Sequence, residues 1–104
     1  MYKRQVDGFI SGVAALAAVC IDRRASGAIL LSHSSAEAGS SVLVDALMQQ
    51  GVPAPPLNMG LRLGEATGAL LCVPIVRAAC AVLRDMGSLE ETLALIEGEG
   101  GAGQ

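Results

Sequence analysis

Apolar positions along the chain fall into short blocks separated by Gly, Ser and Pro, and their spacing predicts alternating strands and helices. Met1 to Gln5 is polar and belongs to no pattern that follows. Val6-Asp7-Gly8-Phe9-Ile10-Ser11-Gly12 reads as the end of a strand, a Gly-containing turn and a helix start. From Ser11 to Ile21 nearly every residue is Ala or Val, with Leu16 and Cys20, which is good helix composition without a polar face. Such a helix needs cover on most sides, more than a short chain easily supplies. After a loop from Asp22 to Gly27, Ala28-Ile29-Leu30-Leu31 is a continuous apolar run bounded by Gly27 and Ser32. A buried parallel strand has this form, although by period alone a helical turn reads the same.

The hydroxyl-rich segment from Ser32 to Glu37 follows, and Ser35 is placed to cap a helix from Ala36 to about Gln50, closed by Gly51. Val42, Leu43, Ala46 and Leu47 form its amphipathic stripe. Val52 to Gly60, with Pro53, Pro55 and Pro56, reads as an extended linker. A second helical stretch begins near Glu65 and runs to Met86, and Pro74 inside it is expected to kink or split it. There Val73, Val76, Ala79, Cys80 and Leu83 make the expected buried stripe, with Arg77, Arg84 and Asp85 outside. Ser88-Leu89-Glu90-Glu91 opens a last short helix ending by Ile96, and residues 97–104 are expected to form a disordered tail. Strand, helix, strand, helix, helix in this order predicts the α/β class, as the end of an open parallel-sheet domain. One or two strands do not make a sheet, so most of such a domain would lie outside this chain.

Composition narrows the picture. Of 104 residues, 52% are hydrophobic but only 2% aromatic, and 13 are Gly, so the core is built from small side chains and is marginal alone. A net charge of −3 argues against a nucleic-acid binder, and the apolar content argues against intrinsic disorder. The longest apolar run, Ala69 to Val76, is too short to cross a bilayer and ends at Arg77, and no signal-peptide pattern opens the chain. Cys20, Cys72 and Cys80 form no CxxC and read as reduced thiols of a cytoplasmic protein.

Ligands of open α/β sheets bind at the carboxyl ends of the strands, which here means Asp7-Gly8 and Ser32 to Glu37. Asp7 and Ser35 read either as helix caps or as polar contacts at an anion site on a helix N-terminus. Leu63-Gly64-Glu65-Ala66-Thr67-Gly68 places a carboxylate among glycines. Glu65 reads either as a first-turn residue favoured by the helix dipole, worth about 0.3–1 kcal/mol, or as a catalytic group approached closely by a ligand. The segment lacks the Gly-Lys-Ser/Thr ending of a phosphate-binding P-loop. His33 has no metal-ligand spacing to any Cys, so no metal is expected, and nothing positions a Cys–His nucleophile pair. Cys72, Cys80, Met48, Met59 and Met86 are expected to fill the core.

Taken together, Asp7-Gly8-Phe9-Ile10-Ser11, Ser32-His33-Ser34-Ser35-Ala36-Glu37 and Gly60-Leu61-Arg62-Leu63-Gly64-Glu65-Ala66-Thr67-Gly68-Ala69 resemble one family in order and spacing. It is the nicotinate-nucleotide–dimethylbenzimidazole phosphoribosyltransferases of cobalamin biosynthesis, and the resemblance covers Val6 to about Leu89. It implies a helix-rich carboxyl-terminal third of a Rossmann-like open parallel sheet, with one or two short strands and about four helices. The implied reaction moves phosphoribose from nicotinate mononucleotide to 5,6-dimethylbenzimidazole, giving α-ribazole 5′-phosphate and nicotinate.

By the same resemblance Glu65 is the catalytic base, Leu63 and Gly64 belong to the base-binding segment, and Asp7, Gly8 and Ser35 contact the nucleotide, Ser35 its phosphate. The family implies small-molecule substrates without a cofactor, no nucleic-acid or membrane partner, and a cytoplasmic homodimer. Ala66 stands where the family usually has a third Gly. Tyr2 to Gln5 match one translated frame of a transposon-end sequencing adaptor whose preceding GTG codon, read as a start, gives Met1, so residues 1–5 are expected to be a processing scar ahead of the enzyme segment, 6–96. The chain alone is expected to be poorly folded and inactive. The reading from another class is a non-catalytic small helical module that binds an anion or a partner chain, for which Glu65 would be dispensable.

Overall fold

A computed structural model describes residues 3–62 and 65–101. Strand β1 is Arg4–Val6 and strand β2 is Ile29–Leu31; the helices are α1 (Phe9–Ile21), α2 (Ser40–Gln49), α3 (Thr67–Asp85) and α4 (Leu89–Gly101), with a 3-10 turn over Arg23–Ala28. β1 and β2 pair in parallel, Arg4 beside Ile29, Gln5 beside Leu30 and Val6 beside Leu31. Residues 3–31 are therefore one βαβ unit. Arg4 and Gln5, expected to stand apart from the fold, join this ladder through the main chain, which accepts any extended residue with a free N–H. Only Val6 of the strand is buried.

Side chains alternate across the strands and sort the molecule into layers. Ile29 and Leu31 join Val6, Ala15 and Val19 of α1, Leu43 and Leu47 of α2, and Val52 in one core. Gln5 and Leu30 face the other way and line a cleft with Val73 and Val76 of α3. The close approach of α1 and α2 depends on Gly12, where a Cβ would lie 2.6 Å from Leu43 Cδ2. The other sides of α1 stay open, with Ile10 and Ile21 both exposed.

α2 starts at Ser40 rather than Ala36, because Gly39 takes a left-handed conformation (φ 84°) that separates the preceding turn from the helix. Ser35 therefore caps no helix. Leu43 and Leu47 are buried as the stripe predicts, whereas Val42 faces solvent. The proline segment is docked rather than free: Ser34 N–H donates to the Leu57 carbonyl (2.8 Å) and Ala36 N–H to that of Leu61 (2.9 Å). Residues 57–61 thus run beside 33–36, and Pro53, Pro55 and Pro56 precede this pairing, where no ladder donor is needed.

α3 continues through Pro74 without splitting. Proline removes the bond to the Leu70 carbonyl, but the helix has more than a turn on either side to sustain it. Its expected stripe is largely uncovered. Gly68 and Cys72 are its buried residues, Val73 and Val76 are half-buried, and Ala79, Cys80 and Leu83 are exposed, Leu83 by 86%. The spacing identified the apolar side correctly, but in its later turns Val82 and Leu83 stay exposed. With 19 residues and a mean hydropathy of 1.6 over 18 of them, α3 is also long and apolar enough to cross a bilayer, because Arg77 and Arg84 do not offset its apolar residues.

α4 opens with a reciprocal cap, in which Ser88 Oγ accepts from Glu91 N–H (3.1 Å) and Glu91 Oε2 from Ser88 N–H (2.7 Å). It runs past the expected end at Ile96 to Gly101, since no proline or competing cap interrupts the backbone ladder. Residues 97–101 of the expected tail are thus helical, and 102–104 lie outside the described residues. The radius of gyration is 19.1 Å, against roughly 13 Å for a compact chain of this length, and the extents are 66 × 29 × 21 Å.

Candidate active site

The two strand ends are fastened together by Ser32. Its side chain is fully buried, its N–H donates to the Val6 carbonyl (3.0 Å), and its hydroxyl lies 2.7 Å from the same carbonyl and 3.1 Å from that of Asp7. Beyond Asp7 the chain enters α1 through Gly8, whose N–H donates to Ser11 Oγ (3.0 Å). Asp7 turns away from its own helix. Its Oδ1 accepts from Ala69 N–H at 3.0 Å, so it caps α3, a segment 62 residues further along. Of the two roles open to Asp7, the structure shows a cap, but on a different helix.

Glu65 lies ahead of α3 rather than in its first turn. Glu65 (φ 61°) and Ala66 (φ 64°) are both left-handed, a conformation that costs a residue with a Cβ roughly 1–2 kcal/mol. Position 66 is thus one where Gly would be strain-free, which gives the substitution to Ala a physical cost. His33 is 5% exposed, far from the open loop its serine neighbours suggest, and its Nδ1 sits 3.3 Å from Ser32 Oγ. Ser35 Oγ accepts from Glu37 N–H (3.2 Å) in a local turn and reaches the Leu61 carbonyl at 3.4 Å.

These elements line an open pocket of ≈ 290 Å³, the cavity on which Asp7, Gly8, Ser35 and Glu65 converge. Leu63 and Gly64 lie outside the described residues. The same wall includes Phe9, Ile10, Ser11 and Glu37, which sequence reasoning assigned no role. Their signal was present, since all four belong to the motifs that supplied Asp7 and Ser35. The described lining carries the carboxylates of Asp7, Glu37 and Glu65 and no cationic side chain. A phosphate here would therefore be held by N–H groups and hydroxyls.

Among the described residues no cluster of His, Cys, Asp or Glu could hold a metal ion. Cys72 is buried as expected, but Cys80, Met48, Met59 and Met86 are exposed, because the surfaces that bear them are uncovered.

A family profile described as phosphoribosyltransferase matches residues 5–93. A nicotinate-nucleotide–dimethylbenzimidazole phosphoribosyltransferase of Shewanella loihica is 46% identical over 86 residues, which are 83% of this chain and 24% of that protein. Proteins of the same name from Pseudomonas putida and a Bradyrhizobium species are 44% and 45% identical, each over 83% of this chain and 23% of their own length. The chain spans about a quarter of the length of the curated relatives it matches. The matched segment contains every residue that lines the cavity, and the chain belongs to this phosphoribosyltransferase family.

Proposed function

We propose that this chain is the carboxyl-terminal part of a nicotinate-nucleotide–dimethylbenzimidazole phosphoribosyltransferase and carries its catalytic base, Glu65. Convergence of Asp7, Gly8, Ser35 and Glu65 on one cavity at the carboxyl ends of β1 and β2 is the observation that supports it best. A neutral benzimidazole is a weak nucleophile until its N–H proton leaves, so a carboxylate at the cavity wall meets the main chemical demand. Glu65 takes that proton while the other ring nitrogen attacks the ribose anomeric carbon of nicotinate mononucleotide. The bond from that carbon to the nicotinate ring nitrogen breaks, and its electron pair neutralises the pyridinium, releasing nicotinate. Gly8 and Ser35 contact the nucleotide, and Leu63 and Gly64 form part of the base pocket. The whole enzyme is proposed to be a cytoplasmic homodimer acting on small molecules.

The test is a chimaera in which residues 5–93 replace the matching segment of the Shewanella loihica relative, assayed for nicotinate release. Glu65→Gln is expected to lower kcat by about 10²–10⁴-fold without loss of fold. Unchanged turnover would remove Glu65 from the chemistry and favour a binding module, which tolerates that loss.

A further inference from the structure

We infer that His33 is a positioning residue, which acts through Gly68 to hold the Glu65 turn against the cavity; this rests on the catalytic role proposed for Glu65. Two successive left-handed residues that carry a Cβ persist only where their surroundings over-determine them. Two contacts on the first turn of α3 do so here. One is the Asp7 cap on Ala69. The other is His33, whose ring lies so close to Gly68 that a Cβ built there would come within 1.8 Å of Nδ1. Gly68 is itself buried, so this contact is part of the interior.

His33 is fixed in turn from two sides. Its backbone bridges to Leu57, and its Nδ1 meets the Ser32 hydroxyl at 3.3 Å. Ser32 has a single hydroxyl proton, and the 2.7 Å contact places it on the Val6 carbonyl. The contact at 3.3 Å is then satisfied when Nδ1 carries the ring hydrogen and donates to Ser32 Oγ. A chain of contacts thus runs from the end of β1 through Ser32 and His33 to Gly68, three residues from Glu65. His33 does not line the cavity, so it acts on the reaction only through the placement of that turn.

The chimaera separates this inference from the functional one on which it rests. His33→Ala is expected to lower kcat about tenfold to a hundredfold, the scale of a roughly 1 Å misplacement, with KM for nicotinate mononucleotide and for the base within about twofold. His33→Asn, which keeps a donor at the Nδ1 position, should recover much of the loss. Gly68→Ala should lower kcat on its own and cost less when His33 is already Ala. A folded His33→Ala enzyme with unchanged kcat overturns the inference, as does a fall in kcat accompanied by an equal rise in KM. If neither His33 variant folds, the ring is a core group and the positioning role is also overturned. Loss of activity in Glu65→Gln alongside normal turnover in His33→Ala would leave the base in place and remove only this inference.

Discussion

The βαβ unit with α2 and the arm formed by α3 and α4 are both rich in Leu, Val, Ile and Ala, yet they bury those residues very differently. In the first, Val19 and Leu47 are completely buried and Leu31 is 4% exposed. In the second, Leu70 and Leu95 are 71% exposed and Leu83 86%. Helical period tells which side of a helix requires cover, but the stabilisation of about 25 cal/mol per Å² arises only where a second surface removes that side from water. Residues 3–62 supply their own second surface; among the described residues, the end of α3 and α4 stay exposed.

The sharpest test of that contrast compares two leucines. Leu47→Ala is expected to destabilise the chain by about 2–5 kcal/mol in urea unfolding, close to the whole stability of so small a core. Leu83→Ala should change it by no more than about 0.5 kcal/mol in the chain alone and by far more in the full-length chimaera. Equal costs in the chain alone would mean that the arm is already covered, for instance by a second copy. Next in size, Asp7→Ala should remove about 0.5–2 kcal/mol and speed hydrogen exchange at the start of α3, leaving the amides of α1 unchanged. Ala66→Gly should raise stability by about 1 kcal/mol through relief of its left-handed strain, read from the denaturation midpoint.

The smallest effect concerns the exposed pair Asp22 and Arg24, at the exit of α1. The Arg24 guanidinium holds the Asp22 carboxyl below the ordinary carboxylate range, through side-chain bonds first and its backbone N–H second. A depressed carboxyl stabilises the fold above its ordinary pKa, and the contribution is lost as pH falls through the lowered value. Both groups are bathed in solvent, so Asp22→Asn should leave the midpoint of acid unfolding unchanged within measurement.

Strand β2 was legible because Ile29 to Leu31 is a short apolar run between breakers, and the Leu43–Leu47 stripe because it follows helical period. The start of α2 was not, because the left-handed turn at Gly39 leaves no sequence mark different from any other glycine. Convergence on the cavity followed from motif order, since Asp7 and Ser35 each follow a strand. The partner of Asp7 had no local signature: Ala69 contributes only a backbone N–H, and nothing in its side chain announces the bond. The burial of His33 was hidden in the same way, because its neighbours are serines and the group that covers it is a glycine.

The bond between Asp7 and Ala69 also sets an order of events during synthesis. At roughly 5–20 residues per second, Asp7 is made about 3–12 s before the amide it will cap. Within that interval α1, β2 and α2 are made in turn, all ahead of the turn bearing Glu65 and of the amide that Asp7 caps. The cavity is therefore completed by the arrival of α3, and a nascent chain released between residues 65 and 68 would carry the base without the amide that Asp7 caps.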